Sequence, residues 1–263
     1  MQTSHRIPPW QVAEAQLLRG TPQGARAVRL TVRRPGTTLQ EAYAVQEYAA
    51  ALRIGAGDRV LGYKVGLTSA AMQEQFGIDE PDSGILLESA GLPSGGVVRC
   101  PDLAEPRIEA EFAFRLGADL FGDRIGVDEA RAAVDGACLA LEVIDSRYEL
   151  EGITLVDSVA DNAASAAFVL GEFSAVPGWD LRDEELSVQV DATGVATGAG
   201  REVLGDPLRS VVWLARRLAG RGSGLKAGDV VLAGAVHASV PLRPGLTVRA
   251  CSPSLAPVGV HAV

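Results

Sequence analysis

Apolar residues in the first part of the chain recur at helical spacing. Leu39, Ala42, Val45, Ala49 and Leu52 return every three or four positions and share one helical face. Thr38 stands three residues before Glu41, where hydroxyl and carboxylate can cap each other's backbone amides, and Gly55 ends the run. A first helix is predicted over residues 12–18, closed near Gly20. Residues 60–65 read as a strand with Lys64 inside it, and Thr68 or Ser69 can cap a helix over residues 70–76. Residues 77–84 form a turn-rich loop, and residues 85–87 and 96–99 short strands.

The pattern changes at Pro106-Arg107-Ile108-Glu109-Ala110-Glu111-Phe112-Ala113-Phe114. Read as a strand, it puts Ile108, Ala110, Phe112 and Phe114 on one face and Glu109 and Glu111 side by side on the other. Glu142 lies inside a second apolar run, residues 137–144. Adjacent carboxylates repel and are costly to bury without a cation between them. Three carboxylates from two strands would make a hard oxygen site suited to Mg²⁺ or Mn²⁺. The alternative is a solvated strand face plus one edge glutamate.

Further on, Asp128 can cap a helix to about Gly136 that leads into the Glu142 strand. Residues 150–158 read as a loop, and residues 166–170, 187–191, 230–233 and 246–250 as strands. Asp206-Pro207 reads as an N-cap and first turn, with Val211, Val212, Ala215 and Leu218 as the buried stripe and Gly220 as the stop. The glycine-rich run from Gly194 to Gly200 lacks a strand–helix frame and reads as a hairpin or flexible loop. There is no internal repeat and no βαβα alternation of a dinucleotide-binding sheet.

With 263 residues, 47% of them hydrophobic, the chain can bury a large core as one domain or as a core with a smaller N-terminal attachment. A net charge of −9 argues against nucleic acid and anionic membranes as partners. An anionic substrate stays possible, because a bound cation reverses the local field. Cys100, Cys138 and Cys251 are far apart, which disfavours a zinc ribbon or redox pair. The odd count and a start without a signal-like apolar core point to the cytoplasm. No 18-residue apolar span is present. The histidines are His5, His237 and His261, so a histidine-built zinc site is disfavoured and a Ser-His-Asp triad would need His237.

Lys64 is the leading charged candidate outside the acids. Desolvation penalises a lysine in an apolar strand, so it either points to solvent or works beside the carboxylates, binding a substrate carboxylate or shuttling a proton. Asp82 and the Asp161-Asn162 pair read as turn residues that could also reach a site.

Several stretches, in order, resemble the fumarylacetoacetate hydrolase superfamily. They are Gly62-Tyr63-Lys64-Val65-Gly66-Leu67-Thr68-Ser69, Glu80-Pro81-Asp82, Pro106 to Glu111, Leu141-Glu142-Val143-Ile144-Asp145-Ser146-Arg147, Val159-Ala160-Asp161-Asn162-Ala163, Val212-Trp213-Leu214-Ala215-Arg216 and Ala227 to Gly234. The matching branch is that of the 2-keto-4-pentenoate hydratases and 4-oxalocrotonate decarboxylases of aromatic catabolism. The resemblance implies an α+β fold, with a mixed β-roll core over residues 71–263 and a smaller N-terminal α/β part over residues 1–70. It implies Mg²⁺ or Mn²⁺ held by Glu109, Glu111 and Glu142, catalysis by Lys64 and Asp82, and substrate binding by Thr68, Ser83, Asp161 and Ser165. It also implies a homo-oligomer acting on a small 2-oxo or 2-hydroxy carboxylate.

The reaction implied is that of a lyase on 2-hydroxy-2,4-dienoates or 2-oxo-enoates. A hydratase would add water through a metal-stabilised dienolate. The alternatives are 4-oxalocrotonate decarboxylation, C–C hydrolysis of the acylpyruvate type, and a non-catalytic metal-binding scaffold. Hydrolysis is the weaker reading, because no histidine lies between His5 and His237 to serve as base. Ser83 replaces the usual aromatic after Pro-Asp, and Ala164 a common serine, which suggests a roomier pocket.

Overall fold

The structure is a computed structural model, described over residues 7–175 and 180–263. His5 and the segment before residue 7 lie outside the described residues.

The N-terminal part contributes helices α1 (Pro9–Gly20), α2 (Leu30–Arg33) and α3 (Leu39–Ile54). In α3 the Thr38 hydroxyl accepts from Glu41 N and the Glu41 carboxylate accepts from Thr38 N, which is the expected capping box. The chain continues through β1 (Val60–Gly66), α4 (Ala70–Phe76), β2 (Asp82–Leu87), β3 (Gly91–Leu92), β4 (Gly96–Val98), β5 (Arg107–Leu116), α5 (Val127–Ala133) and β6 (Val134–Ile144). Then follow α6 (Leu155–Ala160), β7 (Ser165–Leu170), β8 (Glu185–Val190), β9 (Thr193–Ala199), α7 (Leu208–Ala219), β10 (Val230–Ala235), β11 (Val240–Pro241), β12 (Thr247–Cys251) and β13 (Val258–Ala262).

Two mixed sheets carry the fold. The larger runs β2-β1-β10-β5-β6-β7-β3, with β11 beside β5, and the smaller runs β4-β13-β12-β8-β9. The main core joins Phe112, Phe114, Leu139 and Leu141 of the large sheet to Leu186 and Val248 of the small one and to Val211 and Leu214 of α7. This is the apolar face of β5 read from its alternation. A second core under α1 and α3 gathers Leu18, Leu30, Val45, Tyr148 and Val159. A division after residue 70 would leave β1 with the N-terminal helices, although β1 is hydrogen-bonded between β2 and β10.

Three local differences from the sequence reading have physical causes. Residues 155–160 form α6 rather than a loop, started by a Thr154–Asp157 capping box. Strand β2 begins at Asp82, three residues early, because Asp82 and Ser83 pair with Gly66 and Val65. Helix α7 begins at Leu208, whose N–H donates to Asp206 Oδ1 at 2.9 Å, so Pro207 takes the cap position. The glycine-rich run is β9, the return strand of a hairpin with β8, as one of its two readings required.

Candidate active site

The large sheet has two buried faces of different character. Opposite the apolar core face, Glu109 and Glu111 of β5 share a surface with Glu142 of β6 and Lys64 of β1. Glu109 and Glu142 are direct register partners, which brings their side chains together. One carboxylate oxygen from each of Glu109, Glu111 and Glu142 lies within 4.8 Å of the others. All three are buried, Glu142 completely; the solvated-face alternative is thereby excluded.

Few donors serve these acids. Glu111 Oε2 accepts from Gly234 N at 2.7 Å. That N–H is aimed by an irregularity in β10, where the register with β5 shifts between Leu232 and Ala235 and Gly234 has φ 101°. A Cβ at Gly234 would come within 2.0 Å of Thr68 Oγ1, so only glycine fits. Among the described residues, Glu109 Oε1 and Glu142 Oε1 have no hydrogen-bond partner. Lys64 Nζ lies 3.3 Å from Glu142 Oε2 and donates to the Ala163 carbonyl at 2.9 Å.

Burial, with Glu142 alongside, pushes the Glu109 carboxyl up to about 8. Burial and the neighbouring acids hold Glu111 well above the carboxylate range, and burial raises Glu142 against the opposing pull of Lys64 and Ser165. Burial alone would lower Lys64, but Glu142, Asp82, Glu109 and Glu111 outweigh it and keep the ammonium charged. Orphaned, buried oxygens in excess of the positive charge fit a hard divalent cation.

Asp82 approaches from β2. Its Oδ2 accepts from Ser158 Oγ at 2.6 Å, while Oδ1 has no hydrogen-bond partner among the described residues. A Cβ at Gly66 would stand 2.3 Å from Asp82 Oδ1 and 3.0 Å from Lys64 Nζ, so glycine is what lets acid and lysine approach. Lys64, Asp82 and Glu109 open onto a cleft with an apolar wall from Leu67, Met72, Phe76, Ile78, Ile144 and Ile153. Ala164 lines it too, as do Arg26 and Arg107.

None of the four expected substrate-binding residues is among those lining this cleft, though Thr68 and Ser165 border the acidic cluster. Thr68 packs under Gly234 rather than lining the cleft. Ser83 alternates with Asp82 and so faces the other way, its Oγ accepting from Arg217 Nε at 2.8 Å. Asp161 is buried and held by Arg147 (Nε 2.5 Å, backbone N 2.7 Å) and by Ser146 Oγ. Ser165 acts on Glu142, favouring its charged form. His237 bonds through Nδ1 to the Ala238 carbonyl at 2.8 Å, and burial lowers its pKa; among the described residues no serine hydroxyl bonds to its Nε2. Sequence reading missed Ser158, Arg107 and the Ala163 carbonyl. The only signal was the spacing Gly62-Tyr63-Lys64-Val65-Gly66, glycines flanking a strand lysine.

Comparison with known proteins identifies the family. The family model for the fumarylacetoacetate (FAA) hydrolase C-terminal domain matches residues 63–260. The chain is 40% identical over 212 residues to a 2-keto-4-pentenoate hydratase of Paraburkholderia xenovorans, covering 80% of this chain and 79% of that protein. It is 39% identical over 218 residues to a 4-oxalocrotonate decarboxylase of Pseudomonas sp. (strain CF600), covering 82% and 83%. Among solved structures, the 4-oxalocrotonate decarboxylase from Pseudomonas putida G7, complexed with magnesium and adipate, superposes with a TM-score of 0.92 at 33% identity over 97% of this chain and 98% of that one.

Proposed function

The chain belongs to the fumarylacetoacetate hydrolase family, and on that premise we propose that it is a divalent-metal-dependent lyase of 2-hydroxy-2,4-dienoates and 2-oxo-enoates, working as a hydratase. The observation that carries this reading is the buried triad Glu109, Glu111 and Glu142, short of donors and served by one lysine beside an apolar cleft. In this reading the triad holds Mg²⁺ or Mn²⁺. The chemistry a bound divalent ion supplies is Lewis-acid polarisation of the substrate's 2-oxygen.

The chain's own groups handle the protons. Asp82 Oδ1, free of partners and close to Lys64, takes the proton of the 2-hydroxyl. Lys64 Nζ supplies a proton to the far carbon of the diene, giving the conjugated 2-oxo-enoate. Water then adds at carbon 4 and a proton at carbon 3. Ser158 fixes Asp82 through Oδ2, leaving Oδ1 for this work.

The cleft favours a substrate with an uncharged tail. Both arginines that line it are engaged: Arg26 Nη1 and Nη2 each lie 3.2 Å from Glu105 Oε2, and Arg107 Nε donates to Ser239 Oγ at 2.6 Å. The second reading, decarboxylation of a substrate with a distal carboxylate, is supported by Arg26, which would bind that group if exposed Glu105 gave way. Free cysteines and the family resemblance support a cytoplasmic homo-oligomer. No helix among the described residues is long and apolar enough to cross a membrane.

The test is a paired turnover assay with Mg²⁺, using 2-hydroxypenta-2,4-dienoate and 2-oxo-3-hexenedioate. Water addition to the first without CO₂ release is expected. Release of CO₂ from the second, with no turnover of the first, would replace the hydratase by the decarboxylase.

A further inference from the structure

Three consecutive residues without glycine's freedom adopt left-handed backbone between α6 and β7: Asn162 (φ 56°), Ala163 (φ 52°) and Ala164 (φ 56°). Alanine gains nothing from a positive φ, since its Cβ crowds the following carbonyl, and such a run persists only where its surroundings over-determine it. Here they do so from both ends. The Asn162 side chain grips the backbone of Ile85, with Oδ1 accepting from Ile85 N at 2.7 Å and Nδ2 donating to Ile85 O at 3.0 Å. At the other end the Ala164 carbonyl accepts from Asp145 N at 2.8 Å.

Between these anchors sits the Ala163 carbonyl that accepts from Lys64 Nζ. The register partner of Lys64 across β1 and β2 is Gly84, the neighbour of Ile85. A Cβ at Gly84 would stand 2.6 Å from Asn162 O, so the turn lies directly on the strand beside Lys64. An ammonium has three hydrogens to give. Ala163 O accepts one in a fixed direction and Glu142 Oε2 stands 3.3 Å away as the ion-pair partner, with the ammonium bordering the cleft that Lys64 lines.

We propose that Asn162 is a positioning residue: it clamps the left-handed turn to β2 so that the Ala163 carbonyl holds the Lys64 ammonium in place for proton transfer. The catalytic part rests on the function proposed above; the mechanical part does not. Lys64 and Lys226 are the chain's two lysines, and Lys226 is exposed, so it serves as an internal reference for amine labelling.

The test compares Asn162→Gly and Asn162→Asp with the parent enzyme in Mg²⁺, by acetic anhydride labelling read by mass spectrometry and by steady-state kinetics. Glycine takes a positive φ freely, so Asn162→Gly removes the clamp without adding backbone strain. The Lys64-to-Lys226 labelling ratio is expected to rise about fivefold, since a clamped amine opens less often. The kcat is expected to fall about tenfold, with KM and Mg²⁺ affinity within about twofold. Asn162→Asp keeps the bond from Ile85 N but loses the one to Ile85 O, and an intermediate value of both readouts is expected. An unchanged ratio in Asn162→Gly, or in Asn162→Asp should the glycine variant not fold, overturns the proposal. If the parent turns over neither dienoate nor 2-oxo-enoate, the functional reading fails while the labelling still judges the clamp.

Discussion

Among the buried acids of the described residues, two centres are built oppositely. Asp157, wholly buried under the N-terminal helices, receives hydrogen bonds from Thr31 N and Oγ1 at 2.9 and 2.8 Å and from Thr154 N and Oγ1 at 3.1 and 2.8 Å. Donors that stabilise the carboxylate make its burial affordable without any cation. In the large sheet, Glu109 and Glu142 are buried too, yet each keeps an oxygen with no donor among the described residues. The first centre ties α2 to α6; the second stands open to something positive. Satisfaction of the lone pairs, rather than burial or charge, separates a structural acid from a functional one.

The harshest way to break this comparison is to remove an acid from each centre. Glu109→Ala should lose Mg²⁺ binding and at least about 10³-fold in kcat/KM, because Lewis-acid stabilisation of the developing charge goes with the ion. The metal-free variant should melt no lower than the metal-free parent, since a desolvated acid with an unpaired oxygen has been taken away. Calorimetric titration and thermal melts check both; retained metal binding would remove Glu109 from the site.

A titration sharpens the contrast next. With Glu109 raised from an ordinary 4.5 to about 8, the folded state keeps a proton that the unfolded chain releases. Stability of the metal-free protein therefore falls as pH rises from about 4.5 towards 8. Mg²⁺ should offset that loss, and more so at higher pH, where the carboxylates are ready to bind it. Melts in chelator and in Mg²⁺ at pH 5.5 and 8 decide this. A metal-free melting temperature that climbs across the range would contradict the site's electrostatics.

At the satisfied centre the expected damage is mechanical. Asp157→Asn converts an acceptor of four hydrogen bonds into a group with an N–H facing other donors. A loss of about 1–3 kcal/mol is expected from denaturant unfolding, with Mg²⁺ affinity unchanged. Loss of metal affinity without loss of stability would erase the distinction between the two centres.

How much of this could be read in advance follows from how local each signal is. Glu109 and Glu111 announced themselves because strand alternation is a two-residue property. Their opposition to Glu142 depends on the β5–β6 register, which no short stretch encodes; family resemblance supplied it instead. Helix α6 escaped because it has six residues and its box closes with Asp157 in place of the usual Glu or Gln. The left-handed turn was invisible, since two of its three residues are alanines and alanine marks no turn.

Ser83 offers the mildest test and the most direct correction of the sequence reading. Its small side chain suggested extra room for substrate, an expectation that fits Ala164, which lines the cleft, but not Ser83. Because β2 alternates, Ser83 turns from Asp82 towards α7. There its Oγ accepts from Arg217, whose guanidinium lies 3.6 Å from the Tyr43 ring centroid, while its carbonyl accepts from Gln46 Nε2 at 2.8 Å. An aromatic ring at this position would have to displace that arginine. Ser83→Ala removes one hydrogen bond and keeps the stacking, so a cost of about 1 kcal/mol is expected, with kcat and KM within about twofold. Denaturant unfolding and steady-state kinetics read the two effects separately. A tenfold rise in KM at parental stability would put Ser83 against the substrate after all, and would mean that β2 rotates when substrate binds.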